Sequence, residues 1–564
     1  MKRSFFRLVA FGALALLPRT GGAATTLTVD LSTVVRPVTH AASGSLYGVL
    51  EKQPADITGL VAPLHPNMFN NPATDVQQPI GDAIVVAGRL APVGARVTIR
   101  LADWFPSWPY AFTNVNDWLT KVGQTASRRQ AAGLTNIYAY EIWNEPDGTW
   151  KSQSVAFNDL WKQTYAKLRQ LEPDIKITGP SISYYNQSYL QNFLSYCKTN
   201  DCLPDIVGWH ELGGGNVTGN VTNYRNLEKQ LGIGPLPITI NEYSGGGDLS
   251  VEGQPGASAP LIAKFERLGV DSACISFWDV GHPGRLGSLL ATNTDPNGGW
   301  WFYKWYGDMA GSMVATTPPN ASSATALDGF ANLDATAQSA SVLFGGVNDG
   351  TVQVVVKGLA SAPFFGAKVH VVVEHTPFVN RTTVVKATNV VSMADVDVAG
   401  GQITVAVSGA NNTDGYRVSI TPLGGGAGGS GATGAGGHAA AGGAGGRGGN
   451  AGSGGGGGAA RGGTSGAGGV VASGGSVGSG AAGSPAGTGG TASGGQPGGA
   501  GAGGSAPPPD GGGSGCSCRV GPDSAFATWI QALVSLAMLA WLVRRPSRWR
   551  ARLAIGRPAR TRRG

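Results

Sequence analysis

Between Gly44 and Met313 short runs of apolar and β-branched residues alternate with amphipathic stretches, and few architectures accept that rhythm. Parallel strands need a crossover between each pair, and a helix supplies it while covering one face of the sheet. Strand-like runs fall at Gly44–Leu50, Leu64–Phe69, Ala95–Leu101, Ile137–Trp143, Ile175–Gly179, Ile206–His210, Ile238–Asn241 and Ala273–Trp278. Helical patterns lie between them at Trp118–Ala132, Val155–Leu171, Tyr189–Tyr196, Val221–Leu231 and Ser258–Leu268. Leu160, Thr164, Leu168 and Leu171 recur at three or four residues, the spacing of one helix face. With Trp301–Met313 as a closing helix, residues 25–318 read as α/β, a (β/α)8 TIM barrel.

After Pro318-Pro319 the period changes. Thr351–Lys357, Lys368–Glu374, Gln402–Val407 and Tyr416–Thr421 alternate apolar and polar residues, so 319–422 reads as a small antiparallel β-sandwich. The early run Thr26–Asp30 is a candidate to join it. No tryptophan lies between Asp328 and Leu423, whereas sugar-binding faces stack flat rings on sugars. A structural companion to the barrel is therefore expected rather than a carbohydrate-binding module.

The rest of the chain holds little that could form a core. Residues 423–515 are almost wholly Gly, Ala, Ser and Thr, without the large apolar side chains that offset the entropy of ordering, and read as a disordered linker. At the start, Lys2, Arg3 and Arg7 precede the apolar run Leu8–Leu17 and the small residues Gly21–Ala24, the pattern of a signal peptide over residues 1–24. Ala525–Val543 carries no charge and is long enough to span a bilayer as a transmembrane helix. Arg544 and Arg545 follow it, which predicts a cytoplasmic tail and an external location for everything before the span. The net charge of +7 is carried by these termini. The folded region is mildly acidic and has no basic stripe, which argues against a nucleic-acid partner.

Five cysteines are present. Cys197 and Cys202 are close enough in sequence to form a disulfide in an oxidising compartment or to remain thiols, and Cys274 reads as a buried thiol. Cys516-Ser-Cys518 stands between the glycine-rich stretch and the apolar span. The arrangement over 516–564, a Cys motif followed by a single span and an Arg-rich tail, resembles the myxobacterial C-terminal sorting tail. That resemblance implies sorting or processing machinery as a partner and display at the cell surface, anchored at least transiently through residues 525–543. A plain C-terminal anchor gives the same external location.

Two glutamates carry the chemistry. Glu145 lies in Tyr138-Ala-Tyr-Glu-Ile-Trp-Asn-Glu-Pro-Asp147 and Glu242 in Pro237-Ile-Thr-Ile-Asn-Glu-Tyr-Ser244, each just after a predicted strand. About three βα units, at roughly 30 residues each, separate them. Two carboxylates at the mouth of a barrel are the apparatus of glycosidic bond cleavage. Trp143-Asn144-Glu145-Pro146 with the later Glu242 resembles the clan A glycoside hydrolases, and the barrel plus β-domain looks most like family 39. The resemblance covers roughly residues 40–315.

It implies a retaining enzyme in which Glu145, ending the fourth barrel strand, is acid/base and Glu242, ending the seventh, is nucleophile. It also implies a carbohydrate substrate, with β-linked sugars taken by most relatives. Asn144 would bond the sugar 2-hydroxyl, and Trp278 would floor the sugar site. His210, Tyr243 and Tyr184 would line the cleft. Relatives usually carry an Arg on the second strand beside the nucleophile, where this chain has none. Either Arg100, on the third predicted strand, supplies that charge, or the strand count slips by one.

Several alternatives remain open on sequence. A catalytically decayed hydrolase fold would bind glycans at the surface, a transglycosylase would exclude water from the second step, and an inverting hydrolase would hold its carboxyls farther apart. Trp104, Trp108, Trp150 and Trp209 near strand ends suggest several stacking surfaces and hence an oligo- or polysaccharide. No clustered Cys/His with zinc spacing and no Walker or dinucleotide loop is present, so neither a metal nor an organic cofactor is implied.

Overall fold

The computed structural model describes residues 24–424 apart from 75–80, 106, 151–152, 214, 246–250 and 277–285. Nearly all of the expected signal peptide and of the linker, and the whole apolar run 525–543, lie outside the described residues. Among the described residues no helix is long and apolar enough to cross a membrane.

The chain enters through β1 (Thr25–Pro37) and then builds a closed barrel. Its strands are β2 (Gly44–Leu46), β3 (Met68–Pro72), β4 (Arg96–Arg100), β5 (Ile137–Glu141), β6 (Lys176–Ile182), β7 (Ile206–Leu212), β8 (Ile238–Ser244) and β9 (Ser272–Ile275). All pair in parallel, and Ser45 beside Ile275 closes the ring. Each expected strand overlaps one of these eight. Helices cover the outside because their apolar faces match it. Phe157–Leu171 buries Phe157, Leu160, Trp161, Thr164 and Leu168; three of the four positions read from its spacing are among them, and Leu171 at its end is half-buried. Gly179 on β6 has to lack a side chain, since a Cβ there would stand 2.4 Å from the Trp161 ring. Helix Val115–Ala132 starts where the Asn114 side chain accepts the Asp117 N–H at 2.9 Å and stops at Gly133 in the left-handed region.

Two expectations need correction. The closing helix runs Gly298–Gly307, not Trp301–Met313, because Gly311 at φ 75° reverses the chain into β10 (Ser312–Thr317). A helix at Ala83–Leu90, between β3 and β4, was not expected from the sequence.

β10 begins the second region, with β11 (Asp328–Asp334), β12 (Ser339–Gly345), β13 (Thr351–Lys357), β14 (Lys368–Thr376), β15 (Asn389–Asp397), β16 (Ile403–Ser408) and β17 (Gly415–Pro422). These strands and β1 form one nine-stranded sheet in the order β15-β14-β17-β12-β11-β10-β1-β13-β16. β1 joins as the sequence allowed, parallel to β13, and is the exception in an otherwise antiparallel sheet. Two of the strands, β1 and β10, thus come from the span assigned by sequence to the barrel. Val369, Val371 and Val373 from one wing share a core with Val352, Val354 and Val405 from the other, so the sheet folds over on itself.

Helix Pro255–Leu268 is the seam between the two regions. It is buried along almost its whole length, and its Lys264 and Arg267 both pair with Asp328 on β11.

Candidate active site

β5 ends at Glu141, and the chain then makes a sharp corner. Glu145 sits at φ 52°, in the left-handed region that costs a non-glycine residue of order 1 kcal/mol or more. Its carbonyl accepts the N–H groups of Gly148 at 2.9 Å and Thr149 at 2.8 Å, opening the short helix Pro146–Thr149. Its own N–H donates to Ser181 O at 2.8 Å, which ties the corner to β6. Trp143, held by an Nε1–H bond to Thr149 Oγ1 at 2.9 Å, packs edge-on against Trp118 and Trp150. The corner therefore aims the Glu145 carboxyl by covalent constraint and packing together.

Glu242 arrives from β8, where it stands opposite His210 of β7. His210 Nδ1 lies 3.2 Å from Glu145 Oε1 and 3.6 Å from Glu242 Oε2. One oxygen from each glutamate and an imidazole nitrogen fall within 4.8 Å of one another. Burial opposes a charged imidazole, but Glu242 and Glu145 outweigh it and raise the His210 pKa above its ordinary value. Trp108 Nε1–H donates to Glu145 Oε2 at 3.1 Å. Such a trio could ligate a cation; here the Arg100 guanidinium, 2.8 Å from Glu242 Oε1, already supplies positive charge and would repel one.

Arg100 reaches Glu242 from the third barrel strand, the first of the two possibilities the sequence left open. It is fully buried and also bonds Glu141 Oε2 at 3.1 Å and the Tyr47 hydroxyl at 2.9 Å. Burial works against its charge, but Glu141, Tyr47, Glu242 and Asp103 together raise its pKa well above normal. Glu141 accepts a further bond from Asn241 Nδ2 at 2.7 Å and another from the Asn70 amide. Tyr47 donates to Asp103 Oδ2 at 2.8 Å, and Tyr110 to Asp103 Oδ1 at 3.1 Å. Burial pushes Asp103 up to about 7 despite the nearby Arg100.

Glu141, Asn70, Tyr47 and Asp103 had escaped sequence reasoning. The available signal was a charged residue inside an apolar strand, since Glu141 interrupts Tyr138–Trp143.

The other expected residues divide. Asn144 is buried at the corner with its Oδ1 unpartnered, and His210 Nε2, Asn241 Oδ1 and Arg100 Nη2 are likewise buried and bare. Unmatched polar atoms in a buried site cost free energy until something meets them.

Tyr243 is not a cleft residue. Neighbouring side chains on a strand point to opposite faces, so it turns outward, bonding Ala42 O at 2.9 Å and the Tyr303 hydroxyl at 2.6 Å. Tyr184 is 58% exposed beyond β6 and stands apart from the bonded cluster. Trp278 lies outside the described residues. Of the four stacking candidates, Trp108 alone bonds a candidate carboxyl. Trp209 is core, donating to Glu211 at 2.8 Å, Trp104 donates to Thr125 at 2.7 Å, and Trp150 belongs to the Trp143 cluster. Cys197 and Cys202 are buried free thiols.

Residues 113–233, which include the Glu145 corner and His210, match the family described as Glycosyl hydrolases family 39. The chain carries a family 39 glycosidase domain. It also belongs to the family of N2152 from Neocallimastix frontalis, a solved structure similar at 48% identity and a TM-score of 0.69 over 71% of this chain and 100% of that one. The family 39 domain has curated relatives in bifidobacteria. A 3-O-beta-L-arabinopyranosyl-alpha-L-arabinofuranosidase from Bifidobacterium pseudocatenulatum is 27% identical over 72% of this chain and 48% of its own length. A 3-O-alpha-D-galactosyl-alpha-L-arabinofuranosidase from Bifidobacterium longum subsp. longum is 28% identical over 70% of this chain and 40% of its own. The chain thus spans about half the length of these relatives or less.

Proposed function

We propose that this chain is a retaining glycoside hydrolase, with Glu242 as nucleophile and Glu145 as acid/base. The observation that carries the reading is the approach of the two carboxyls to within 4.8 Å around one imidazole. Retaining enzymes hold the pair about 5–5.5 Å apart, whereas inverting ones leave about 6.5–9.5 Å for a water. Arg100 fixes one oxygen of Glu242 at 2.8 Å, so the carboxylate is oriented for attack on the anomeric carbon. Glu145, aimed by its strained corner and by Trp108, gives its proton to the departing oxygen and then takes one from the incoming water. His210, bonded to Glu145 and facing Glu242, keeps the two in register. Asn144, with a bare buried oxygen, meets the substrate hydroxyl.

An arabinofuranoside is the first substrate to try, since both bifidobacterial relatives are arabinofuranosidases; β-linked sugars are the second. An exported, surface-tethered location is part of the same proposal and is supported by residues 1–24 and 525–543 of the sequence alone.

The test is a panel of aryl α-L-arabinofuranosides, aryl β-glycosides and polysaccharides with the full chain. Glu242→Ala should lower kcat by about a thousandfold or more, and azide should restore turnover with an inverted glycosyl azide. Glycan binding without turnover, unchanged by that substitution, would sink the enzymatic reading in favour of a binding protein.

A further inference from the structure

The two candidate glutamates are held in different ways. Glu242 lies inside β8, which pairs with β7 on one side and β9 on the other, so the sheet itself fixes its backbone. Glu145 lies beyond Glu141, the last residue of β5, and has no ladder of its own. Its φ of 52° is a conformation that persists only where surrounding contacts over-determine it. Part of that hold has to come from outside the corner.

Bonds within the corner set its shape but not its place. The Thr149 hydroxyl lies 2.9 Å from Asn144 O and 2.8 Å from Glu145 O, so it braces the corner from inside and would travel with it. The place is set from β6. Ser181 there sits at φ 59°, where the pairing of β6 with β7 slips between Pro180 and Ile182, and its carbonyl takes the Glu145 N–H at 2.8 Å. Two residues on, Ser183 donates its N–H to Asp147 Oδ1 at 3.0 Å and its hydroxyl to Asp147 Oδ2 at 2.5 Å. Asp147 is itself two residues past Glu145, in the first turn of helix Pro146–Thr149. An acid in that position ordinarily serves the positive end of its own helix. Here both of its oxygens turn to the neighbouring segment, so a side chain prolongs the β5–β6 pairing after the backbone of β5 has left it.

We propose that Asp147 and Ser183 form a clasp that positions Glu145 for proton transfer to the departing oxygen. The assignment rests on Glu145 being the acid/base, and Asp147 is a positioning residue that touches no reacting atom. A general acid must stand within about 2.6–3.2 Å of the oxygen it protonates, and a misplacement of about 1 Å costs on the order of a hundredfold in rate. Cutting the clasp lets a strained residue relax, and its carboxyl then leaves the place where Trp108 and His210 meet it. The loss falls on the first step, in which the glycosidic C–O bond breaks, a Glu242 oxygen bonds the anomeric carbon and the Glu145 proton goes to the leaving oxygen. A leaving group acidic enough to depart as an anion is spared, whereas a basic one is not.

The experiment uses the full chain with Asp147→Ala, Asp147→Asn, Ser183→Ala and the double variant Asp147→Ala with Ser183→Ala; Glu145→Gln is the reference for a lost acid. Initial rates are taken on a dinitrophenyl and a methoxyphenyl glycoside of one sugar. Asp147→Ala should lower kcat/KM about 10- to 100-fold for the methoxyphenyl glycoside and no more than about threefold for the dinitrophenyl one, which departs without a proton. Asp147→Asn, which keeps one acceptor, should lose less. The double variant should lose no more than Asp147→Ala alone, since both changes remove one interaction. Equal losses for the two leaving groups, additive losses in the double variant, or no loss would each overturn the clasp. The indole N–H of Trp108, which donates to Glu145, gives a reading independent of turnover. Its resonance, followed with nitrogen-labelled tryptophan and assigned from Trp108→Phe, should move in Asp147→Ala and in Ser183→Ala; an unmoved resonance would also overturn the clasp. Should Asp147→Ala fail to fold, Asp147→Asn and Ser183→Ala carry both measurements. If the wild type turns over no glycoside, or Glu145→Gln treats the two leaving groups alike, the acid/base reading falls, and the Trp108 resonance still decides the clasp.

Discussion

Two clusters of buried charge in this molecule invite comparison. At the barrel mouth Arg100 is shared among Glu141, Glu242 and the Tyr47 hydroxyl. At the seam Lys264 and Arg267 share Asp328, with Lys264 and Asp328 completely buried. Both solve the same physical problem, a charge removed from water that must be paired. They differ in what is left over. The seam acid is fully used, since its oxygens also take the Gly329 N–H at 2.8 Å. The mouth retains bare atoms on Arg100, Asn241, Asn144 and His210. At the seam one buried atom is bare, Arg267 Nε, against these four at the mouth, so the seam acid fastens two regions together while the mouth keeps polar atoms free for a ligand. Burial and charge alone would not have told them apart.

Removing Arg100 is the strongest way to probe this contrast. Arg100→Met leaves Glu141 and Glu242 buried without their cation, which should cost about 3–5 kcal/mol of stability. It should also lower kcat/KM at least about a hundredfold, read from melts and from kinetics on folded protein. Asp328→Asn at the seam should cost a comparable amount, again about 3–5 kcal/mol. Its kcat per folded molecule should stay near wild type, and Lys264→Met with Asp328→Leu should regain most of the lost stability. Equal losses of activity from the two sites would break the distinction between fastening and catalytic clusters.

The sequence made the scaffold legible because barrel strands are apolar runs bounded by breakers, and eight of them alternate with amphipathic helices. Glu145 and Glu242 were legible for a related reason, as carboxylates that follow such runs directly. The partners that orient them were not. Glu141, Asn70 and Asn241 face inward from strands, where a polar residue reads as an irregularity until the strands are assembled. Tyr243 and Trp209 misled because the strand's two-residue period turns each of them away from the mouth. Helix Ala83–Leu90 was too short to show a clear period.

Asp103 gives a test with a pH signature. Its carboxyl titrates at about 7 in the fold against 3.8 when free. Between those values the unfolded chain has released a proton that the folded chain keeps, so stability falls as pH rises from about 4 to 7. The loss should amount to a few kcal/mol across that interval. In Asp103→Asn that downward slope should disappear, while melts near pH 4 remain close to wild type. A slope unchanged by the substitution would remove Asp103 from the network that steadies Arg100.

His210 should show the smallest change in stability, and its pH dependence has a defined sign. Its folded pKa is raised, because the attraction of Glu242 and Glu145 exceeds the penalty of burial. A cation stabilised in this way contributes fully below the unfolded histidine value, about 6.5, and its contribution fades as pH climbs through the folded value. His210→Phe should therefore cost about 1–2 kcal/mol at pH 5 and much less at pH 9. Turnover should fall by about a hundredfold, because Glu145 and Glu242 lose the group that spaces them. The seam has no counterpart to this behaviour: its charges come from Lys264, Arg267 and Asp328, with no imidazole among them. A stability cost for His210→Phe that grows with pH would mean that the ring is held neutral, and that the mouth is built around two carboxyls and one guanidinium.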